Sequence, residues 1–164
     1  METGLFFQNL TTQRIWVGFA YNDPIVGASN YWRKHGWWSM EPGTTNPPDS
    51  TQFALVMNRD LRTVNTTIYF EAEFAPDVSV WPAPGQGNAS TKITDNSYNQ
   101  GWYDQTGCDR MVDFTEVQLL YVQSVTIQLG PNPGQWKQIE TIIYAGPLGT
   151  DPLAGLIRRE RANF

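Results

Sequence analysis

Cysteine, histidine and charged side chains are all scarce in this sequence. Cys108 is the only cysteine and His35 the only histidine, which excludes an intrachain disulfide and a thiolate metal cluster. Charged residues make up 16% of the chain, whereas typical soluble domains carry about 25%. A lone histidine forms a catalytic triad only if an acid and a nucleophile converge on it, and no G-x-S-x-G motif is present. We therefore expect a protein that is not an enzyme and that holds no cofactor.

Long apolar runs and basic clusters are missing as well. No apolar stretch approaches the roughly 20 residues that a helical membrane span requires. The net charge is -5 and the lysines and arginines are scattered, so we expect no nucleic-acid partner. Residues 1–4 lack the basic and apolar regions of a signal peptide, which predicts a protein of the cytoplasm, of a particle assembled there or of a non-classical export route, unless a leader has been removed. The sequence does not fix the localisation further.

Aromatic residues, glycine and proline are abundant by contrast. Aromatics reach 13%, and 14 glycines and 11 prolines are spread along the chain, as expected of many short strands joined by turns. Residues 13–21 and 66–75 alternate between apolar and other side chains with a period of two, which is typical of half-buried strands. The sequence therefore predicts one all-β domain over residues 1–164, an antiparallel β-sandwich or a small barrel.

The C-terminal third and the polar stretch before it carry more specific expectations. Residues 124–129 and 135–145, separated by a Gly- and Pro-rich turn, predict a hairpin. Asp151 followed by Pro152 is typical of a helix start, so residues 146–164 are predicted to form a short helix or an interaction tail. Residues 82–107 read as a long polar loop, and such loops tend to be functional or ordered by a partner.

Aromatic and polar residues in or near the loops form the candidate binding surface. Tryptophan and tyrosine rings stack on sugars and also anchor protein interfaces, so the surface does not separate the two kinds of partner. In the predicted strand 36–40, Trp38 shares a side with Met40 and is assigned to the core, whereas Trp37 shares a side with Ser39 and is assigned to a contact surface. The candidate residues are Tyr31, Trp32, Trp37, Asp95, Asn96, Trp102, Tyr103 and Asp104.

Paired carboxylates are the other candidate chemistry. Glu71 and Glu73 alternate on one strand, so their side chains point the same way about 7 Å apart. Two carboxylates can hydrolyse glycosides, but a shared strand favours a solvated face. Asp95, Asn96, Asp104 and Asp109 offer oxygen ligands without the spacing of a calcium-binding loop, so we expect no metal site.

The order of several motifs resembles a known family. Asn9-Leu10-Thr11, the aromatic strand from Trp16 to Tyr21, and Gly36-Trp37-Trp38 with Pro42-Gly43 follow one another, as in an uncharacterised, mostly bacterial family of small β domains. Residues 69–73 and 108–114 are similar to later parts of its pattern, so the resemblance covers residues 6–116. The family often has a cysteine before the first Asn, where this chain has Gln8; the resemblance thus implies a family disulfide that Cys108 cannot form here. No activity is established for the family, so the resemblance implies a fold and no function.

Two functions remain open from the sequence. The first is a non-enzymatic structural or assembly subunit, a component of a particle or filament whose partners are copies of itself or other subunits. The alternative is a lectin-like carbohydrate-binding module that holds glycans on its loop aromatics. An enzyme would require Glu71 and Glu73, or His35 with an acid, to face a deep pocket.

Overall fold

The part of the chain that the structure describes folds into twelve β-strands. The structure is a computed structural model that describes residues 3–23, 32–43, 52–64, 67–75, 78–83, 85–101, 110–119, 121–143 and 156–163. A short 3-10 turn, Leu61–Thr63, joins two of the strands. The strands are β1 (Gly4–Asn9), β2 (Ile15–Asn22), β3 (Trp32–Met40), β4 (Phe53–Asn58), β5 (Thr67–Ala75), β6 (Val78–Trp81), β7 (Ala89–Ile93), β8 (Tyr98–Gly101), β9 (Arg110–Gln118), β10 (Ser124–Leu129), β11 (Trp136–Ile143) and β12 (Leu156–Asn163).

The strands form two sheets. The first, sheet A, has the order β12-β11-β10-β1-β4, and the second, sheet B, has the order β7-β9-β5-β2-β3-β8 with β6 added beside β5. Among the described strands, all pairs are antiparallel except β1 with β10, which run parallel. The predicted all-β sandwich is confirmed, and the predicted hairpin is the antiparallel pair β10–β11.

The core lies between the sheets and follows the alternation seen in the sequence. Ile15, Val17 and Phe19 of β2 are almost fully buried, because their side of sheet B faces sheet A. Phe7 of β1 meets Phe70 of β5 across the interface, with ring centroids 5.6 Å apart. Burial of such side chains contributes about 1.5–3 kcal/mol each, so this layer accounts for much of the stability of the fold.

The secondary structure expected from local sequence patterns was wrong in three places. Leu156–Asn163 is a strand that pairs with β11 along its length, and the helix expected there is absent from it. The supposed loop 82–107 contains β7 and β8, which pair with β9 and β3 respectively. Trp32, expected in or near a loop, begins β3. In each case pairing with a distant strand decides the conformation, and local residue preferences do not report such pairing.

Candidate functional site

Sheet B has a second face, opposite to the core, and the sheet curls over it. β3 and β7 are separated in the sheet by β9, β5 and β2. Even so, Lys34 of β3 donates from Nζ to Thr91 Oγ1 of β7 at 3.3 Å and to the Lys92 carbonyl. Trp37 Nε1 likewise donates to the Thr94 carbonyl at 3.0 Å. The face is therefore concave and partly closed rather than open to solvent.

A small apolar cluster lines part of this concave face. Ile93, Val112 and Phe114 are buried there, and Trp37 and Tyr69 pack against them. Trp38 points to the other side and packs against the main core. The opposite placement of Trp37 and Trp38 is the arrangement that alternation along the strand predicts.

Glu71 and Glu73 lie on the concave face and are buried, with 0% and 3% of their surface exposed. The expectation of a solvated strand face is therefore wrong. The two side chains do point to the same side, as predicted, but β7 and β9 cover that side. Strand periodicity tells which residues share a face and cannot tell whether a second layer covers it.

Arg110 is the partner that allows Glu73 to be buried. Its Nη1 and Nη2 donate to Glu73 Oε2 and Oε1 at 2.8 and 3.1 Å, and its Nε lies 2.8 Å from Asp95 Oδ1. Burial acts against the charged guanidinium, but the hydrogen bonds and charge of Glu73, together with the charges of Glu71 and Asp95, outweigh it and raise the pKa of Arg110. The guanidinium also covers the Trp37 ring, 5.2 Å from its centroid, so it fixes both a carboxylate and an indole.

A pocket of about 320 Å³ opens beside this cluster. Trp16 and Ser39 are direct cross-strand neighbours, and Trp16 also faces Glu73, so three strands contribute to the floor. The turn between β7 and β8 supplies a polar rim. We call this the indole pocket; its lining residues are Trp16, Trp37, Ser39, Glu73, Asp95, Asn96 and Ser97.

The structure brings together some of the predicted site residues and not others. Trp37, Asp95 and Asn96 line the indole pocket. Trp32 lies on the same strand but packs against Tyr69, with centroids 5.4 Å apart, and does not line the pocket. The remaining four predicted residues, Tyr31, Trp102, Tyr103 and Asp104, lie outside the described part of the chain.

Sequence reasoning missed Trp16, Ser39 and Arg110 as parts of the site, and it assigned Glu73 to a separate pair of carboxylates. One signal was present for Trp16. It occupies the outward side of β2, where the next two residues on that side are Gly18 and Ala20, and small neighbours leave room beside a large ring. Arg110 gave no comparable signal, because its position near Glu73 follows from the pairing of β9 with β5, which no local pattern encodes.

His35 lies on the core side of sheet B, away from the indole pocket. Its ring stacks on Phe19 with centroids 5.2 Å apart, and also on Tyr21. Burial, followed by the charge of Arg33, lowers the pKa of His35 to about 4. Its buried Nε2 has no hydrogen-bond partner among the described residues, so no acid there orients it as a base.

Asn9 and Thr11, the first residues of the motifs that carry the family resemblance, form a network of buried hydrogen bonds that we call the Asn9 lock. Asn9 Nδ2 donates to the carbonyls of Gln13, Met40 and Glu41. Asn9 Oδ1 accepts from the backbone N and the hydroxyl of Thr11. This buried amide ties the β1–β2 turn to the end of β3 and takes no part in the pocket.

Comparisons with known proteins add no relative. No family model, curated protein or solved structure matches the chain. Within the described residues, no helix is long and apolar enough to cross a membrane. The same residues contain no group of three or more His, Cys, Asp or Glu side chains able to hold a metal ion.

Proposed function

We propose that the chain is a carbohydrate-type binding domain that holds a small, hydroxyl-rich ligand in the indole pocket. The observation that carries the proposal is the convergence of two tryptophans with carboxylate, amide and hydroxyl side chains around one opening. The volume of about 320 Å³ lies at the lower end of ligand pockets, which span about 300–1,000 Å³. This size suits a short saccharide or a chain end better than a long chain enclosed along its length.

The chemistry of the lining favours such a ligand. The C–H groups on one face of a sugar ring pack on an indole, whose face carries partial negative charge. The hydroxyls of the sugar can then bond with Asn96, Ser97 and Ser39, which offer both donors and acceptors. Asp95, with 52% of its side chain exposed, adds a carboxylate acceptor at the rim.

The same geometry favours binding without turnover. Both oxygens of Glu73 accept hydrogen bonds from Arg110, so this carboxylate is engaged in an ion pair. Glu71 is fully buried, and a substrate in the pocket has no access to it. A glycosidase needs a pair of carboxylates that both reach the scissile bond, and this pair does not offer one.

A glycan array followed by calorimetric titration of the best ligand tests the proposal. Asn96→Ala and Asp95→Asn alter the exposed rim and are expected to weaken binding several-fold each, because a hydrogen bond is worth about 0.5–1.5 kcal/mol. Ser90→Ala, at an exposed position on β7 outside the pocket lining, is the matched control and should bind like the parent. An array without any binding by the parent protein would contradict the proposal.

A second candidate function, assembly through protein–protein contacts, is favoured by β4. This strand lies at an edge of sheet A, and residues 53–57 are all apolar. Phe53 is 46% exposed. Long apolar edge strands are templates for pairing with another chain, and a second copy of the chain would supply a strand of the same character.

Sedimentation velocity over a wide concentration range tests the assembly hypothesis. We expect a parent protein that self-associates and a Phe53→Lys variant that remains monomeric, because a lysine on an edge strand opposes strand pairing. Ser90→Lys, which adds the same charge at an exposed position on β7, is the control for charge alone. A parent protein that remains strictly monomeric at high concentration rules out self-assembly.

A further inference from the structure

A second cavity, of about 330 Å³, lies on the other side of sheet B from the indole pocket. Its wall includes Thr115 of β9, which pairs with the core-facing Phe70, and Trp136 at the start of β11. Residues after β6 complete the mouth. The cavity therefore opens between the two sheets at one end of the sandwich, a position similar to the mouth of a β-barrel, where ligands commonly bind.

Two indoles, of Trp81 and Trp136, belong to its lining and are rigidly held, with 1% and 8% of their surface exposed. Trp81 Nε1 donates to the Gln135 carbonyl at 2.8 Å, and the Trp81 ring meets Phe74 edge to face at 5.3 Å. Trp136 meets Phe70 in the same way, also at 5.3 Å. Both rings are held in place before any ligand arrives, which reduces the entropy lost on binding.

Polar groups with unused hydrogen-bonding capacity surround these rings. Asn88 Oδ1 accepts from the backbone N of Glu116 at 2.9 Å, which fixes the amide while its Nδ2 donates to no described residue. The Thr115 hydroxyl and the Gln86 amide, both in the lining, also make no hydrogen bond with described residues. These side chains offer donors and acceptors that a ligand can satisfy.

The lining of this cavity differs in charge from the lining of the indole pocket. No acidic or basic residue is among its described lining residues, whereas Glu73 and Asp95 line the indole pocket. An ion that enters a site without a counter-charge loses hydration without compensation. The site therefore selects against ionised ligands and favours an uncharged ring that has both an apolar face and hydrogen-bonding groups.

We propose that the cavity between Trp81 and Trp136 is a second binding site, specific for neutral pyranose sugars. It is independent of the indole pocket, shares no lining residue with it, and does not require the function proposed for that pocket.

Amide chemical-shift titration with named sugars tests this site. Glucose and N-acetylglucosamine are the neutral probes, and glucosamine and glucuronic acid are the cationic and anionic ones. We expect saturable shifts at Gln86, Asn88 and Thr115 with the neutral probes and at least several-fold weaker binding of the charged ones. Shifts confined to residues 16, 37–39 and 95–97, no saturable shift at all, or equal binding of glucuronic acid would each overturn the proposal.

Single substitutions distinguish binding in this cavity from binding in the indole pocket. Thr115→Val keeps the shape of the side chain and removes the hydroxyl, and Gln86→Ala changes an exposed side chain with no described hydrogen bond. Each should weaken the neutral probes about 2- to 10-fold, the loss of one hydrogen bond, with an unchanged thermal midpoint for Gln86→Ala. Asn96→Ala should leave this binding unchanged; if it alone abolishes binding, the neutral probes occupy the indole pocket and the second site does not exist.

Discussion

Arg110 holds Glu73 through two parallel hydrogen bonds, from Nη1 to Oε2 at 2.8 Å and from Nη2 to Oε1 at 3.1 Å. Only 14% of the arginine side chain and 4% of the glutamate side chain are exposed. The pair joins β5 to β9 behind the indole pocket, and the same guanidinium covers Trp37. The ion pair thus positions the pocket wall in addition to linking two strands.

Replacing Arg110 by methionine should destabilise the fold strongly. Removal of one partner leaves the buried carboxylate of Glu73 unpaired, which costs about 3–5 kcal/mol. Urea unfolding measures the loss. The double variant Glu73→Gln with Arg110→Met should be more stable than Arg110→Met alone, because the unpaired carboxylate of Glu73 is then absent. If the losses of the two single variants simply add in the double variant, the pair is not coupled. Arg62→Met, which breaks a more exposed pair with Asp60, should change little.

His35 makes stability depend on pH below neutrality. The unfolded chain takes up a proton on this residue near pH 6.5, whereas the folded chain does so at about pH 4. Between these values the unfolded state binds more protons, so stability is full above pH 6.5, falls as the pH drops towards 4, and falls no further below it. Since the ring is only half-buried, solvent screening limits the effect to about 1–2 kcal/mol.

Urea unfolding at pH 7 and pH 4.5 checks this expectation. His35→Phe retains a flat ring that can stack on Phe19 and Tyr21 and removes the titrating group. The variant should lose less stability than the parent between the two pH values, and the difference isolates His35 from the carboxylates that titrate in the same range. Equal losses in both proteins would show that His35 does not have the lowered pKa.

The alternation of apolar residues in the sequence correctly predicted which side of a strand faces the core between sheet A and sheet B. It separated Trp38 from Trp37 correctly, because neighbouring strand residues point to opposite faces. It failed for Glu71 and Glu73, since their burial depends on β7 closing over the sheet from far along the chain. The lysine contact that reports this closure, Lys34 to Thr91, joins residues 57 positions apart, and no local pattern encodes it.

The C-terminal strand shows the same limit. Asp151 and Pro152 resemble the start of a helix, yet the eight residues of β12 are fully paired with β11. Short segments adopt the conformation that a partner strand offers, because tertiary pairing outweighs propensities worth a fraction of a kcal/mol per residue. The same limit applies to the candidate site. Trp37, Asp95 and Asn96 were predicted from residue type and local pattern, whereas Arg110 was not, because its contact with Glu73 depends on the pairing of two strands distant in sequence.

Asn9 should be among the most sensitive positions outside the pockets. Its side chain is fully buried and takes part in five hydrogen bonds, with the carbonyls of Gln13, Met40 and Glu41 and with two groups of Thr11. Asn9→Ala leaves several buried groups unsatisfied at about 1–3 kcal/mol for each. Asn9→Asp should also destabilise the fold at pH 7, because a carboxylate cannot donate to three carbonyls.

Thermal unfolding measures the stability of both variants, and Thr12→Ala, at an exposed neighbouring position, is the control. If Asn9→Ala is as stable as the parent protein, the hydrogen bonds of Asn9 do not stabilise the fold.

Gly43 packs against the backbone of Asn9 and gives a second test of this region. Glycine in a Pro-Gly turn often supplies a positive φ, but the structure shows a different need at Gly43. A Cβ at Gly43 would lie 1.8 Å from the Asn9 carbonyl oxygen, so any side chain separates the end of β3 from β1. Gly43→Ala should therefore cost more than about 2 kcal/mol, in the range of overpacked sites. Gly85→Ala is the matched control, because Gly85 has a φ of +78° and no heavy atom within 4 Å of its Cβ position. Gly85→Ala carries only the backbone cost of about 1–2 kcal/mol. If calorimetric unfolding finds Gly85→Ala the less stable of the two, backbone conformation and not close approach governs these turns.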